Sequence, residues 1–303
     1  MNLDSHRKRA LVSGGEMAYA DLGEGEAVVL LHGFPTSSEL WRREAWLFAQ
    51  QMRVIAPDLL GYAASEHPLD ADLSEPAQAR YVAELLEGLG LRSVALVGHD
   101  VGGGIAQMLA LDAALDVRCL VLLDSVCFDA WPIEGVKMLQ SGDPKQETGE
   151  FVEEVCRLIF DLGVAHHERL GEEALAPYVA PWKDDPAAFF RAARAIRGEG
   201  LAGRETELKA LDVPTFILWG EEDPFLPSEL GERLGETIAG ATVALLPGCA
   251  HFITEDAPQT VGPLIHHFLR SQYLGASPLS HGGGPVEVLF ERPDPSDAFL
   301  DPD

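Results

Sequence analysis

The chain has 303 residues, a length that fits one large domain or two ordinary ones. Apolar residues make up 47% of it and charged residues 23%, so it can fill a sizeable core and is not disordered as a whole. Acidic residues outnumber basic ones by 49 to 22, and the net charge of −27 repels phosphate backbones. Because the sequence has no basic patch to overcome this repulsion, we exclude nucleic acid as a partner.

The cysteines and the N-terminal segment bear on the compartment. The four cysteines form no Cys-x-x-Cys pair, so the sequence predicts neither a disulfide framework nor a zinc site. The first ten residues are charged and are not followed by the apolar stretch of a signal peptide. No run approaches the roughly 18 apolar residues of a transmembrane helix. We expect a reduced, cytoplasmic, acidic protein that does not bind a membrane.

Short apolar runs alternate with helical patterns over most of the chain. Helices are predicted near residues 38–51, 74–90, 102–115 and 257–271. Five runs have the pattern of strands: Ala27–Leu31, Arg53–Ala56, Val94–Val97, Cys119–Leu123 and Thr215–Trp219. They are apolar on both faces, as in a parallel sheet that is covered by helices on both sides. The alternation predicts a doubly wound α/β fold with a mostly parallel sheet.

This alternation stops between about 128 and 210, where only helices are predicted. One of them begins with Asp185 as its N-cap and Pro186 in its first turn. Another is amphipathic, with five apolar residues on one face: Phe151, Val155, Leu158, Ile159 and Leu162. The segment is interpreted as a helical insertion that sits on the sheet.

These patterns divide the chain into three parts. Residues 1–127 and 211–272 are predicted to form the α/β core, and residues 128–210 a helical cap, or lid. Residues 273–303 are rich in proline and aspartate and are predicted to be a poorly packed tail. Within this tail, only the segment 286–290 has the pattern of a strand or a docking element.

The clearest chemical signal is the segment Gly98-His99-Asp100-Val101-Gly102, which joins a predicted strand directly to a predicted helix. It matches the nucleophile elbow G-x-S-x-G with Asp100 in place of serine. The glycines allow the strand and the helix to approach closely, and the helix N-terminus stabilises a carboxylate at the apex. Taken alone, the segment is also explained by a glycine-rich turn with an ordinary capping aspartate.

Further positions with a possible role in catalysis also follow predicted strands. Phe34 follows one strand and can aim its amide, together with that of Val101, at a developing oxyanion. Asp223 follows another strand, and His251 lies in a loop beyond a third. The order Asp100, Asp223, His251 is the nucleophile–acid–base order of this architecture. Asp124, at another strand end, is the fallback acid, although a strand-end cap explains it better.

From about residue 10 to 272 the chain resembles an α/β-hydrolase with a cap domain. More closely, it resembles the haloalkane dehalogenase and epoxide hydrolase branch, whose nucleophile is aspartate. The segments 32–42 and 56–62 are similar to both, whereas Ala63 replaces a glycine that is usual in the family. The resemblance implies a fold with a helical cap and a triad of Asp100, His251 and Asp223. It implies neither a cofactor nor a metal.

An aspartate nucleophile sets the class of reaction. A carboxylate is already anionic and can displace a leaving group from an sp³ carbon, forming an ester on Asp100. His251 then takes a proton from the water that attacks this ester, while the Phe34 and Val101 amides hold the oxyanion. Asp223 orients the imidazole and stabilises its charged form.

The leaving group remains open at this point. The resemblance to haloalkane dehalogenases implies a tryptophan after the nucleophile and an asparagine after His-Gly, but Val101 and Phe34 stand there. Haloacid-type relatives carry arginines just after the nucleophile, a role that Val101 and Gly104 cannot fill. An epoxide needs a proton donor, typically a pair of cap tyrosines or a tyrosine with a histidine.

Five cap residues are candidates for contact with the leaving group, although packing also explains each of them. The candidate proton donors are Tyr178, His166 and His167, and the candidate indole donors to a halide are Trp131 and Trp182. We favour hydrolysis of a neutral, apolar epoxide. Haloalkane dehalogenation is the second hypothesis, and a hydrolase-fold protein that binds a ligand with little turnover is the third. The expected partner is a small apolar molecule, and a homodimer is left open.

Overall fold

A single eight-stranded sheet forms the centre of the computed structural model, which describes residues 3–112, 114–142, 145 and 147–275. The strand order is β1-β2-β4-β3-β5-β6-β7-β8; β2 is antiparallel to both of its neighbours, β1 and β4, and all the other pairs are parallel. The strands are β1 (Arg7–Val12), β2 (Gly15–Leu22), β3 (Ala27–Leu31), β4 (Arg53–Pro57), β5 (Ser93–His99), β6 (Asp116–Leu123), β7 (Thr215–Gly220) and β8 (Thr242–Leu246).

Helices follow most of the parallel strands, as the sequence predicts. They are α1 (Glu44–Phe48), α2 (Glu75–Gly88), α3 (Val101–Leu111), α4 (Glu134–Gln140), α5 (Gly149–Gly163), α6 (Glu172–Asp184), α7 (Pro186–Ala195), α8 (Glu205–Lys209), α9 (Glu229–Thr237), α10 (Ile253–Asp256) and α11 (Pro258–Gln272). The predicted helix over 38–51 is instead a 3₁₀ turn, Ser38–Trp41, followed by the short α1.

The predicted α/β fold is confirmed, and the five apolar runs are β3 to β7. Every residue of β3 is buried, which agrees with a strand covered on both faces. The sequence analysis missed β1 and β2, the antiparallel pair at one end of the sheet. Edge strand β1 begins Arg-Lys-Arg and lacks the continuous apolar pattern of the parallel strands, so it gives no comparable signal.

Helices α4 to α8, called the cap helices below, all lie between β6 and β7 in the chain. The described residues between these two strands include no strand. As predicted, Asp185 caps α7, because its side chain accepts a hydrogen bond from the Ala188 N–H at 3.0 Å. Pro186 occupies the first position of that helix. Helix α5 packs against α6, and α4 against α7.

The sequence also makes predictions about the C-terminal tail, membrane-spanning helices and the cysteines. The predicted tail lies outside the described residues from 276 onward, and so does its candidate strand at 286–290. In the described ranges, no helix combines the length and the apolar character needed to cross a bilayer. All four cysteines are buried and free, in agreement with the prediction that they form no disulfide framework.

Candidate active site

Asp100 occupies the sharp turn between β5 and α3. Its backbone has φ 53° and ψ −123°, a strained conformation for a residue with a side chain. Close packing surrounds the turn: a Cβ added at Gly98 would collide with the Gly102 carbonyl, and one at Gly102 would collide with the Leu31 carbonyl. The two glycines are therefore required for the strand and the helix to meet at this angle, as the sequence motif indicates.

The carboxylate of Asp100 is held in place by backbone amides. Its Oδ1 accepts a hydrogen bond from the Phe34 N–H at 2.9 Å. Burial raises the pKa of Asp100, and the charge of His251 and hydrogen bonds from the Val101 and Phe34 amides offset part of this effect, leaving a pKa of about 6. The carboxyl is thus more basic than an exposed aspartate and still largely ionised at neutral pH.

The turn that carries Phe34 is shaped for this contact. A Cβ added at Gly33 would collide with Oδ1 of Asp100, so only glycine allows the chain to pass so close. His32 braces the same turn, because its Nε2 accepts from the Leu59 N–H at 2.9 Å and its Nδ1 lies 2.9 Å from the Gly33 carbonyl oxygen. Since Nε2 is the acceptor, we assign the ring proton to Nδ1.

His251 lies between two carboxylates. Its Nδ1 is 2.8 Å from Oδ2 of Asp223, and its Nε2 is 3.8 Å from Oδ2 of Asp100. The other oxygen of Asp223 accepts from the Phe225 and Leu226 amides at 2.8 and 3.0 Å. Burial lowers the pKa of His251, but the charge and hydrogen bond of Asp223 and the charge of Asp100 outweigh it, so the pKa is raised.

His99 is a residue of this site that the sequence analysis did not single out. Its ring lies 4.7 Å from that of His251, centroid to centroid, and its Nε2 is 3.0 Å from the His251 carbonyl oxygen. Burial and the neighbouring His251 keep the pKa of His99 well below its usual value, so the ring is neutral and donates from Nε2. Its position next to Asp100 was the available signal.

Asp124, the fallback acid, lies at the end of β6. Its Oδ1 accepts from the Gly220 N–H at 2.8 Å and so ties β6 to β7. Burial and the charge of Asp223 raise the pKa of Asp124 well above its ordinary value, which favours the neutral form of this carboxyl. The described carboxylate contacts of the His251 ring are those with Asp223 and Asp100. This geometry agrees with a strand-end cap.

A cavity of about 370 Å³ lies over Asp100 and His251. Its described lining is almost entirely apolar, and the ionisable side chains in it are those of Asp100 and His251. Most of the lining residues come from α4, α5 and the segments beside them: Trp131, Ile133, Gly135, Val136, Met138, Leu139, Gly142, Phe151, Val155, Leu158, Ile159 and Leu162, with Phe34, Phe190 and Phe225 completing it. In the described residues, no group of His, Cys, Asp and Glu is arranged to hold a metal ion.

Tyr178, one of the candidate proton donors, lies outside the described lining of this cavity. Its hydroxyl donates to Oε1 of Glu255 at 2.8 Å and accepts from Nη1 of Arg42 at 2.7 Å. It faces a separate, more polar cleft of about 920 Å³, which includes neither Asp100 nor His251. Arg42 and the buried Glu255 form an ion pair, since an unpaired charge at this position would be costly, and both partners bind the Tyr178 hydroxyl.

The other cap candidates differ in their access to the cavity. His166 and His167 lie outside its lining, near Glu168 and Asp161 respectively. Trp182 also lies outside it, and its indole donates to the Pro35 carbonyl at 2.6 Å. Trp131 lines the cavity, and its indole nitrogen has no hydrogen-bond partner among the described residues. Of the five candidates, the structure brings only Trp131 to Asp100.

Comparison with known proteins relates this site to characterised chains. A family model described as the alpha/beta hydrolase fold matches residues 26–149. Haloalkane dehalogenase 2 of Mycobacterium tuberculosis is 32% identical over 271 residues, which are 84% of this chain and 91% of the relative. The soluble epoxide hydrolase of a Corynebacterium species is 30% identical over 281 residues, covering 86% of this chain and 96% of the relative.

A third relative carries a different activity in its name. The 2-hydroxymuconate semialdehyde hydrolase of Pseudomonas putida is 29% identical over 270 residues, which cover 86% of this chain and 93% of that protein. All three similarities extend over most of both chains; two of the relatives are named as hydrolases and one as a dehalogenase. The chain therefore belongs to the α/β-hydrolase family and is a hydrolase of this fold.

Proposed function

We propose that this hydrolase opens a neutral, apolar epoxide to a diol through an alkyl ester on Asp100. The observation that carries the proposal is the position of the Asp100 carboxylate in an apolar cavity. Oδ1 is held by the Phe34 N–H, while Oδ2 is the oxygen that lies near Nε2 of His251. In this arrangement Oδ2 is the oxygen that attacks, and Oδ1 already accepts a hydrogen bond from an amide.

In the first step, Oδ2 of Asp100 attacks an epoxide carbon and the ring carbon–oxygen bond breaks. The released oxygen stays attached to the neighbouring carbon, so it can rotate towards the protonated His251 and take its Nε2 proton. The raised pKa of His251 favours the presence of this proton in the free enzyme. The products of the step are an ester on Asp100, a neutral hydroxyl and a neutral imidazole.

In the second step, neutral His251 takes a proton from a water molecule that attacks the carbonyl carbon of the ester. The negative charge develops on Oδ1, where the Phe34 and Val101 amides stabilise it. The alkoxide leaves with one of the water protons, and the other returns His251 to its charged form. Because the ester removes the Asp100 charge, it also removes one cause of the raised pKa of His251, which makes the ring a better base at this stage.

The choice of an sp³ carbon rests on the nucleophile. The Pseudomonas relative is named for a semialdehyde, which has a carbonyl carbon. A carboxylate that attacks a carbonyl would form an anhydride, whereas at an sp³ carbon it forms a stable ester that a second step must hydrolyse. Asp100 therefore supports a reaction of the kind named for the dehalogenase and epoxide hydrolase relatives.

The choice of an epoxide rests on charge. The described lining of the cavity has no Arg or Lys, so a halide ion released there would have only the charged His251 to compensate it and would form an ion pair in an apolar site. Epoxide opening ends in a neutral diol. A halide that leaves in line with the attack also finds no free N–H donor at Phe34, since the Phe34 amide is bonded to Asp100. The side chain of Val101 supplies no donor either.

Haloalkane dehalogenation is the second candidate function. It is favoured by Trp131, a residue of the cavity wall whose indole N–H has no hydrogen-bond partner among the described residues. A weak N–H donor in an apolar pocket suits a halide better than an alkoxide, which needs a full proton.

The test is a single turnover in H₂¹⁸O with the enzyme in excess over substrate, followed by digestion and mass measurement of the Asp100 peptide. The covalent route introduces one water oxygen into the Asp100 carboxylate, and the peptide with Asp223 serves as the unlabelled control. Turnover without label at Asp100 would contradict the ester. Terminal epoxides and haloalkanes of equal chain length, followed by diol and halide release, then separate the two leaving groups.

A further inference from the structure

We infer that the substrate carries a long, uncharged alkyl chain, which lies along the apolar cavity wall formed by α4 and α5 and rests on an apolar rim. The rim is defined as Met138, Leu158 and Leu162. The inference deepens the proposed function and rests on it for the reacting group at Asp100. The presence of the alkyl chain of the substrate is inferred from the cap helices alone.

The cavity extends along α5. The five residues predicted to share one face of this helix, from Phe151 to Leu162, all line the cavity. Eleven residue steps at 1.5 Å correspond to an apolar stripe of about 16 Å. A neighbouring face of the helix buries Val152, Cys156 and Phe160 within the protein. Helix α5 is therefore apolar on two sides, of which one packs in the cap and the other faces the cavity.

Part of the apolar wall of this cavity is exposed to solvent. The described residues include five large apolar side chains that are exposed, and three of them are the rim residues Met138, Leu158 and Leu162 at 67, 55 and 51%. All three line the same cavity as Asp100. The other two, Leu11 and Leu69, do not line it. Scattered apolar side chains are normal on a surface, but a group beside a cavity mouth marks a binding surface.

The occupant that fits this surface is the tail of the substrate. The rim residues belong to the wall of the cavity that holds Asp100, so a long chain anchored at the carboxylate can lie against them. A net charge of −27 opposes the approach of a second copy of the chain or of an anionic lipid surface. A fatty acid carboxylate is disfavoured in the cavity, where it would meet Asp100 without any described Arg or Lys. An uncharged aliphatic chain meets none of these obstacles.

The test compares terminal epoxides from epoxybutane to epoxydodecane, all below their aggregation concentrations. Each methylene that leaves water is expected to raise kcat/KM by about three- to fourfold at most, and the rise should continue to the longest chains. In the double variant Leu158→Ser, Leu162→Ser, the ratio of kcat/KM for epoxydodecane to that for epoxybutane should fall at least tenfold. The matched control Leu11→Ser removes an exposed leucine elsewhere and should leave this ratio unchanged. An unchanged ratio in the double variant would overturn the inference.

A binding experiment separates failure of the inference from failure of the proposed function. Calorimetry measures dodecanol and butanol binding to Asp100→Asn, which cannot turn over. If dodecanol binds more tightly and the rim substitutions abolish the difference, the alkyl site stands even if no epoxide is hydrolysed. If the two alcohols bind equally, the alkyl site is refuted whatever the reaction. A different result is that the rim substitutions abolish a dimer in sedimentation, or binding to phosphatidylcholine vesicles, and leave the preference for long alkyl chains unchanged. That result would assign the rim to another partner and also overturn the inference.

Discussion

The cavity has a floor and a roof of different character. The floor consists of Phe34, Asp100 and His251 with the supporting Asp223, and each of these residues lies just beyond a strand of the central sheet. The roof consists of the cavity-facing residues of α4 and α5, which are apolar. Polar groups of the floor are bonded to one another at defined distances, such as 2.9 Å from Phe34 N to Asp100 Oδ1. The roof residues of α4 and α5 make apolar van der Waals contacts with whatever occupies the cavity.

This difference separates chemistry from selection. Hydrogen bonds are directional, so the floor can set which atom attacks and where a charge develops. Apolar contacts are not directional and scale with area, so the roof can select the size and polarity of a substrate without setting the reaction. Changes in the floor should therefore affect kcat strongly, and changes in the roof should mainly affect the dependence on substrate. The following predictions test this separation.

The largest effect is expected for Asp100→Asn, which removes the attacking anion and keeps the size of the side chain. Removal of a nucleophile lowers kcat by roughly 10⁴-fold or more. Steady-state kinetics with the best epoxide measures this loss. The matched control is Asp124→Asn, which replaces a buried carboxyl outside the cavity lining whose pKa is raised well above its ordinary value, and it should cost far less activity. Comparable losses in the two variants would contradict the assignment of Asp100 as the nucleophile.

A smaller loss is expected for His251→Gln. Without the base, ester hydrolysis should slow by roughly 10²- to 10⁴-fold. Ester formation also loses its proton donor, but Asp100 remains an anion and can still attack, so ester hydrolysis should be the more strongly slowed step. An adduct with the mass of the substrate should then accumulate on the protein and be visible by intact mass spectrometry. The exposed His167 provides the control variant, His167→Gln, which should show no adduct. Persistent activity in His251→Gln without an adduct would show that His251 is not the base.

The pH dependence of kcat/KM should be bell-shaped for an epoxide. Asp100 must be ionised to attack, and since its pKa is raised to about 6, activity should fall about tenfold per pH unit below that value. His251 must be protonated to donate, and since its pKa is raised above the usual 6.5, activity should fall again on the alkaline side. The two limbs belong to the coupled pair rather than to single residues. A haloalkane needs no proton in the first step and should show only the acid limb, provided that the melting temperature is constant over the range.

The smallest effect on activity is expected for Tyr178→Phe. The change deprives the buried Glu255 carboxylate and Arg42 of a hydrogen-bond partner, so the free energy of unfolding should fall by about 1–3 kcal/mol in urea denaturation. The value of kcat should change by no more than a few-fold. The control Tyr273→Phe removes a hydroxyl that bonds to Glu26 at 3.3 Å and should cost less stability. A hundredfold loss of kcat would instead make Tyr178 a proton donor.

Residues that act locally were predictable from the sequence. The runs in β3 to β7 are apolar throughout, and the elbow around Asp100 is marked by its flanking glycines. The Asp185 cap of α7 could likewise be predicted from neighbouring residues. In contrast, β1 has a polar sequence, and its pairing with β2 shows only in three dimensions.

The roles of cap residues depended on partners that are distant in the chain. Tyr178 bonds to Glu255, which is 77 positions away, and Trp182 bonds to Pro35, 147 positions away. A single sequence does not reveal these contacts, so these residues were as plausible as Trp131 for a place in the cavity. The assignment of catalytic roles to Asp100, Asp223 and His251 stays a prediction that the variants above address.

By itself, the sequence determined the α/β fold, the order of its polar strand ends and the presence of a carboxylate at the elbow. These features depend on short segments, in which apolar runs, glycines and the strand–helix junction dictate the local backbone. Only the tertiary structure decided which cap side chains reach that carboxylate and which are held by buried ion pairs. The reason is that a polar side chain in the interior goes to the partner that satisfies its hydrogen bonds, and that partner comes from a remote part of the chain.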